Sequence, residues 1–153
     1  MRIFEIEDRK KFMAGLFGTD FFYPFHLVKA EIKTCASYVI EGKALGEEKK
    51  GYVSWERMKE PVFQIIKGKK SPSLFFLVME PDKEWLEERL RPQDFSFCLN
   101  VRFEQKKAEP KPVDTLVLTA GVSGADFLLA HQMEKEWEHE IEIFLKEHGI
   151  CFM

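Results

Sequence analysis

The decapeptide Phe95-Ser96-Phe97-Cys98-Leu99-Asn100-Val101-Arg102-Phe103-Glu104 alternates a bulky apolar side chain with a polar or small one at every step. Successive side chains of a strand point to opposite faces, so period two held over ten residues predicts a strand with one face in a core. Its other face, Ser96, Cys98, Asn100 and Arg102, is then turned outward, and a neighbouring strand can set Thr115 or Thr119 beside it. A strand of this kind belongs to a sheet covered on one side, which favours antiparallel pairing over a doubly wound fold.

Outward from it, residues 105–112 carry lysines and two prolines and suit a loop, and residues 113–120 are rich in β-formers. Gly121 to Gly124 is expected to turn the chain. A helix from about Ala130 to His148 follows from the stripe Leu129, Met133, Trp137, Ile141, Phe144 and Leu145, with Gly149 as its stop. Upstream, Leu74 to Met79 is apolar throughout and reads as a central strand buried on both faces. Residues 27–33 and 36–41 alternate and form a hairpin. Asp8 caps a helix over about Arg9 to Phe17, and Ser54 caps one from Trp55 to about Lys67. Pro61 is expected to kink that second helix or split it. Pro81 to Leu90 suits a short surface helix. The aromatic bend Phe21-Phe22-Tyr23-Pro24-Phe25 reads as core filling. The expected fold is α+β: a mostly antiparallel sheet of about five strands with N-terminal, middle and C-terminal helices packed mainly on one face, as a single domain over residues 1–153.

Composition bounds the class. The chain is 45% hydrophobic and 32% charged, enough apolar surface to order a core, and 153 residues is the size of one domain. A net charge of −3 gives no general attraction to nucleic acid or anionic membrane. Three scattered cysteines form neither a disulfide framework nor a CxxC site. No apolar run approaches a membrane span, and Met1 to Lys11 has no signal-type apolar core, so a cytoplasmic protein is expected. Phosphate-binding glycine motifs and the nucleophile elbow are absent, and His139-Glu140 fails as a zincin because position 143 is Ile. No cofactor or metal is expected.

The stretch from Trp55 through Phe63-Gln64-Ile65-Ile66-Lys67-Gly68-Lys69-Lys70-Ser71-Pro72, the Leu99-Asn100-Val101 strand, and Glu134 to Leu145 (EKEWEHEIEIFL) resemble a family of small bacterial proteins known only as a domain of unknown function. The resemblance extends over nearly the whole chain and implies no activity, ligand or catalytic residue.

Two regions are candidates for contact with another molecule. Residues 43–70 hold eight Lys or Arg against four Glu, while residues 134–147 hold two against six acidic side chains. If the loops at 49–50, 67–70 (Lys67, Lys69, Lys70) and 106–111 meet at one end of the sheet, they form a basic rim suited to phosphate or an acidic partner. The outward face of the decapeptide is the second candidate, with Asn100 and Arg102 as directional donors. Cys98 lacks a local base to make it a nucleophile. Glu136 and His139, like His131 and Glu134, share a helix face, but a di-iron site needs further carboxylates from other helices. Gly121-Val122-Ser123-Gly124 is an anion cradle only if a helix starts right after it. The leading expectation is a non-catalytic binding or assembly module, working as a homo-oligomer or with a protein partner. One alternative is an enzyme for a small anionic substrate, using Arg102 and Lys67, Lys69 and Lys70 as binders and Cys98 or a histidine as the reactive group. The other is weak contact with a phosphate backbone, although the outward face lacks the aromatics that single-strand readers stack on and nucleic acid is not the expected partner.

Overall fold

Ser96–Lys106 is a strand whose burial alternates along its length, with Phe97, Leu99, Val101 and Phe103 inside. It is one of eleven elements in a computed structural model that describes residues 1–46, 51–68, 70–91 and 94–153. In chain order they are β1 (Ile3–Glu5), α1 (Arg9–Gly18), β2 (Phe25–Lys33), β3 (Ser37–Glu41), β4 (Val53–Ser54), α2 (Trp55–Ile66), β5 (Leu74–Pro81), α3 (Lys83–Glu87), β6 (Ser96–Lys106), β7 (Val113–Ser123) and α4 (Phe127–Glu147). The fold is α+β. The sheet runs β1-β7-β6-β5-β2-β3, with β4 continuing the β3 edge of β2, and the strand pairs are antiparallel. It has seven strands where about five were expected. The two additions, β1 and β4, are three and two residues long and too short to carry a period-two signal.

Local chemistry sets the helix ends. Asp8 Oδ1 accepts from the Lys11 N–H at 3.0 Å and starts α1. Helix α2 continues through Pro61, which neither divides it nor is buried. Asp126 Oδ1 accepts from the Leu129 N–H at 3.1 Å, so α4 begins at Phe127, ahead of the expected Ala130. Phe127, Leu128 and Leu129 are exposed, which is why the buried stripe gave no sign of this first turn. The residues expected to turn, Gly121 to Ser123, still belong to β7.

The four helices of the described residues pack on one face of the sheet. Phe17 at the end of α1 meets Phe75 of β5 and Trp55 of α2. Trp85 of α3 and Trp137 of α4 meet Phe25 of β2, and Trp137 also meets Phe97 of β6. The bend at 21–25 fills this core, with Phe21, Phe22 and Phe25 buried against Phe144. The buried indoles are satisfied: Trp137 Nε1–H donates to the Cys98 carbonyl and Trp55 Nε1–H to the Leu16 carbonyl, each at 2.8 Å.

Strand β5 corrects the sequence expectation. It is central, but only Phe75, Leu77, Met79 and Pro81 are buried; Leu74, Phe76 and Val78 alternate with them on the other face. A run of apolar residues shows that neither face is charged, not that both are covered.

Two details hold the edges. Residue Val28 is an extra residue in β2, a bulge opposite the Leu27 and Lys29 partners on β5. Gly42 follows β3 there, donating to the Val28 carbonyl at 3.0 Å. At the opposite edge, Glu5 and Met153 exchange backbone hydrogen bonds (3.3 and 2.9 Å), and the Glu7 N–H donates to the Cys151 carbonyl. Arg2 reaches Glu142 of α4 at 2.6 Å, and hydrogen bonds from Arg2 and then Lys146 hold the Glu142 carboxyl at about 2.

Candidate functional site

The face of the sheet away from the helices is a set of cross-strand rows fixed by register. One row runs Val117, Arg102, Phe76, Glu31, Val39 across β7, β6, β5, β2 and β3. A second runs Thr119, Asn100, Val78, Lys29, Glu41, and a third runs Thr115, Glu104, Leu74, Lys33, Ser37. The β5 column, Leu74, Phe76 and Val78, is therefore an apolar spine with polar and charged columns on both sides. Among the described residues no helix covers it.

Asn100 and Arg102 lie on this face as the alternation requires. Asn100 Nδ2 donates to Thr119 Oγ1 at 3.3 Å. Arg102 Nε donates to Glu104 Oε2 at 3.3 Å, and its guanidinium stands 5.4 Å from the Phe76 ring centre. Ser96 is exposed at the start of β6. Cys98 is part-buried, and burial pushes its thiol up from the usual range, with the Glu134 charge adding to this and a hydrogen bond from the Gly121 backbone opposing it. The balance keeps the thiol protonated, the opposite of what a nucleophile needs.

Lys67 and Lys70 are exposed between α2 and β5. That loop enters β5 at Leu74, opposite Glu104 and Lys33, so it shares its end of the sheet with Lys33 and the 106–111 connection. Lys69, Lys49 and Lys50 lie outside the described residues. Ser96 is at the other end of the sheet. Seven residue steps from Leu74 to Pro81, at about 3.3 Å each, put roughly 23 Å between the two ends. Ser96 and the lysines thus do not share a pocket, and Arg102 stands nearer the lysine end.

Ser96 instead lines a cavity of about 390 Å³ with His26, Tyr52, Glu80, Asp82 and Phe95. His26 and Glu80 are cross-strand partners on β2 and β5. His26 Nδ1 lies 2.9 Å from the Tyr52 carbonyl, and Nε2 lies 3.1 Å from Asp82 Oδ1. The carbonyl only accepts, so Nδ1 carries a proton and donates it. Both ring nitrogens are engaged, so His26 does not serve Ser96 as a base and the group is no Ser-His-Asp relay. Sequence spacing gave no sign of this cluster, because its members are brought together by the pairing of separate strands, β2 with β4 and β5, and β5 with β6. A larger cavity, about 740 Å³, lies between Met13, Pro72, Phe103 and Asp114. Its charged rim mixes signs and selects no ligand charge.

Glu80 offers a pH test. Burial raises its carboxyl above the ordinary 4.5, with the nearby His26 opposing. The folded state therefore holds this proton more tightly than the unfolded chain does. The stabilisation it gives is present below pH 4.5 and is lost as pH rises through the folded value. Glu80→Gln is expected to melt above the parent at pH 7 and together with it at pH 4, as followed by thermal denaturation across that range.

Among the described residues no group of three or more His, Cys, Asp or Glu side chains is placed to hold a metal ion. His131 Nδ1 and Glu134 Oε2 are 3.9 Å apart on α4, with His131 exposed. No described helix is long and apolar enough to cross a membrane. A family model described as a family of unknown function (DUF5721) matches residues 15–153. No curated protein and no solved structure matches the chain.

Proposed function

We propose that this chain, which belongs to the DUF5721 family of unknown function, is a non-catalytic assembly module that docks a second copy of itself on the uncovered sheet face. The observation that carries this reading is the one-sided packing of the helices, which leaves Leu74, Phe76 and Val78 as an apolar spine outside the core. Sheets of this kind stack face to face about 10 Å apart. Six strands at ~4.8 Å spacing span about 24 Å, and the eight steps from Ser96 to Glu104 span about 27 Å. The resulting ~650 Å² is an upper bound, because β1 and β3 are only three and five residues long, and it approaches the ~800 Å² per partner of a standard stable interface. Charges of both signs, Lys29, Glu31, Arg102 and Glu104, flank the spine, so the face has attractive partners for itself.

Size-exclusion chromatography with light scattering tests this. The parent is expected at twice its 18.0 kDa chain mass at micromolar concentration. Phe76→Glu, which sets a charge on the spine without touching the core, is expected to run as a monomer with unchanged circular dichroism and melting temperature. A parent that stays monomeric, or a Phe76→Glu variant that still pairs, removes this function.

A further inference from the structure

Two of the three rows share a property that the assembly reading does not require. The rows through Phe76 and Leu74 are close to palindromes about β5, and the row through Val78 mirrors only at its apolar centre. Counting outward from Phe76, the first positions are Arg102 on one side and Glu31 on the other, and the second are Val117 and Val39. Counting outward from Leu74, they are Glu104 and Lys33, then Thr115 and Ser37. Counting outward from Val78, they are Asn100 and Lys29, then Thr119 and Glu41. In the Phe76 row apolar mirrors apolar, and in the Leu74 row hydroxyl mirrors hydroxyl. In two rows a cation mirrors an anion, with the sign reversed between those rows.

We infer that the self-docking face is built around a twofold axis running parallel to β5 and lying over its spine, with Arg102 facing Glu31 of the second copy and Glu104 facing Lys33 of the second copy. This rests on the assembly reading and adds its geometry. A twofold interface is isologous: if one residue meets another across it, the second meets the first by symmetry. An axis along β5 lays β6 over β2 and β7 over β3 of the other copy, so every mirrored pair becomes a contact. Phe76 meets Phe76 and Val117 meets Val39. The strands of the two sheets stay nearly aligned, the arrangement favoured when twisted sheets stack.

The other in-plane axis, across the strands, fits less well. Passing over the Phe76 row, it sets Arg102 on Arg102 and Glu31 on Glu31. Shifted to lie between the Phe76 and Leu74 rows, it sets Arg102 on Glu104, but it then stacks Val117 on Thr115 and Val39 on Ser37. In the Phe76 and Leu74 rows, the axis along β5 matches charge and apolar surface together, which neither transverse placement does. The charged pairs flank the spine, so they set partner choice and orientation while the spine supplies the buried area.

Two single variants test the geometry. Glu31→Arg and Arg102→Glu each place like charges in contact twice per dimer, and each is expected to weaken self-association about tenfold or more. Both sites lie outside the core, so circular dichroism stays that of the parent. An equimolar mixture of the two variants is expected to form a heterodimer with the parent's affinity. Opposite charges then meet at both symmetry-related contacts. At one, the arginine introduced at position 31 faces the glutamate introduced at position 102; at the other, the unaltered Arg102 faces the unaltered Glu31. Sedimentation velocity of each variant and of the mixture reads this directly. A dimer that Phe76→Glu breaks but that the mixture does not restore overturns the axis and leaves the assembly reading standing. Restoration by Arg102→Glu with Glu104→Arg in one chain assigns the transverse axis instead and likewise overturns this one. A parent monomeric at all concentrations overturns both.

Discussion

Trp137→Ala is expected to lower the unfolding free energy by about 3–5 kcal/mol, the range for removing a large aromatic from a packed core. Trp137 is fully buried at the centre of α4 and touches Phe25, Trp85 and Phe97. Its indole N–H also ties α4 to β6 through the Cys98 carbonyl at 2.8 Å. Alanine therefore loses apolar burial and a hydrogen bond together, and the surrounding rings come from three elements that cannot collapse into the gap as one. For a chain of this size the loss corresponds to a fall in melting temperature of roughly 6–20 °C. Trp137→Phe separates the two effects. It keeps most of the ring volume but leaves the carbonyl without this donor, and about 1–3 kcal/mol is expected for the lost bond. Chemical denaturation of the parent and both variants, read by circular dichroism, gives the comparison. Equal losses in the two variants would mean that the hydrogen bond dominates; no loss in either would contradict the packing described.

Gly42→Ala is expected to cost more than about 3 kcal/mol, beyond the usual 1–3 kcal/mol of an overpacked site. A Cβ at Gly42 falls 1.7 Å from the Leu27 carbonyl oxygen and 2.7 Å from its carbon. Those atoms belong to backbone at the β2 bulge and have no rotamer to change. The peptide must move, and with it the bonds from the Gly42 N–H to the Val28 carbonyl and from the Val53 N–H to the Gly42 carbonyl. The first bond ties the end of β3 to β2, and the second ties β4 to the end of β3. Two other glycines serve as controls. A Cβ at Gly121 meets only the Cys98 sulfur, a side chain that can rotate, and a Cβ at Gly18 meets nothing within 4 Å. Alanine at Gly18 is expected to change stability by less than about 1 kcal/mol. Denaturation midpoints of the three variants check the ordering, and hydrogen exchange checks whether the loss at Gly42 is confined to β2, β3 and β4.

The layered architecture was legible wherever a segment was long enough to show its period. The decapeptide in β6, the β2–β3 hairpin, the Asp8-capped helix and the Trp137 stripe of α4 were read from spacing alone, because burial of one face writes itself into every second or every third to fourth residue. Strands β1 and β4 were not legible, since two or three residues have no period. The face of Leu74, Phe76 and Val78 was not legible either, because an unbroken apolar run hides which half is inside. The candidate face was seen only in part. Asn100 and Arg102 were found on their own strand, but Glu31, Lys33 and Val39 gained meaning only from register, which joins residues some seventy positions apart. His26, Glu80 and Asp82 were missed for the same reason.

The exchange of hydrogen bonds between Glu5 and Met153 has a further effect on how copies of this molecule can combine side by side. It covers the Glu5 and Glu7 end of the β1 flank with residues 151–153 and leaves β3 as the open flank. Endless lateral growth, as in a fibril, requires every unit to present two free flanks. Among the described residues, two molecules joined rim to rim through β3 would have used the open rim of each, and residues 151–153 obstruct further addition at the Glu5 and Glu7 end of the other rim.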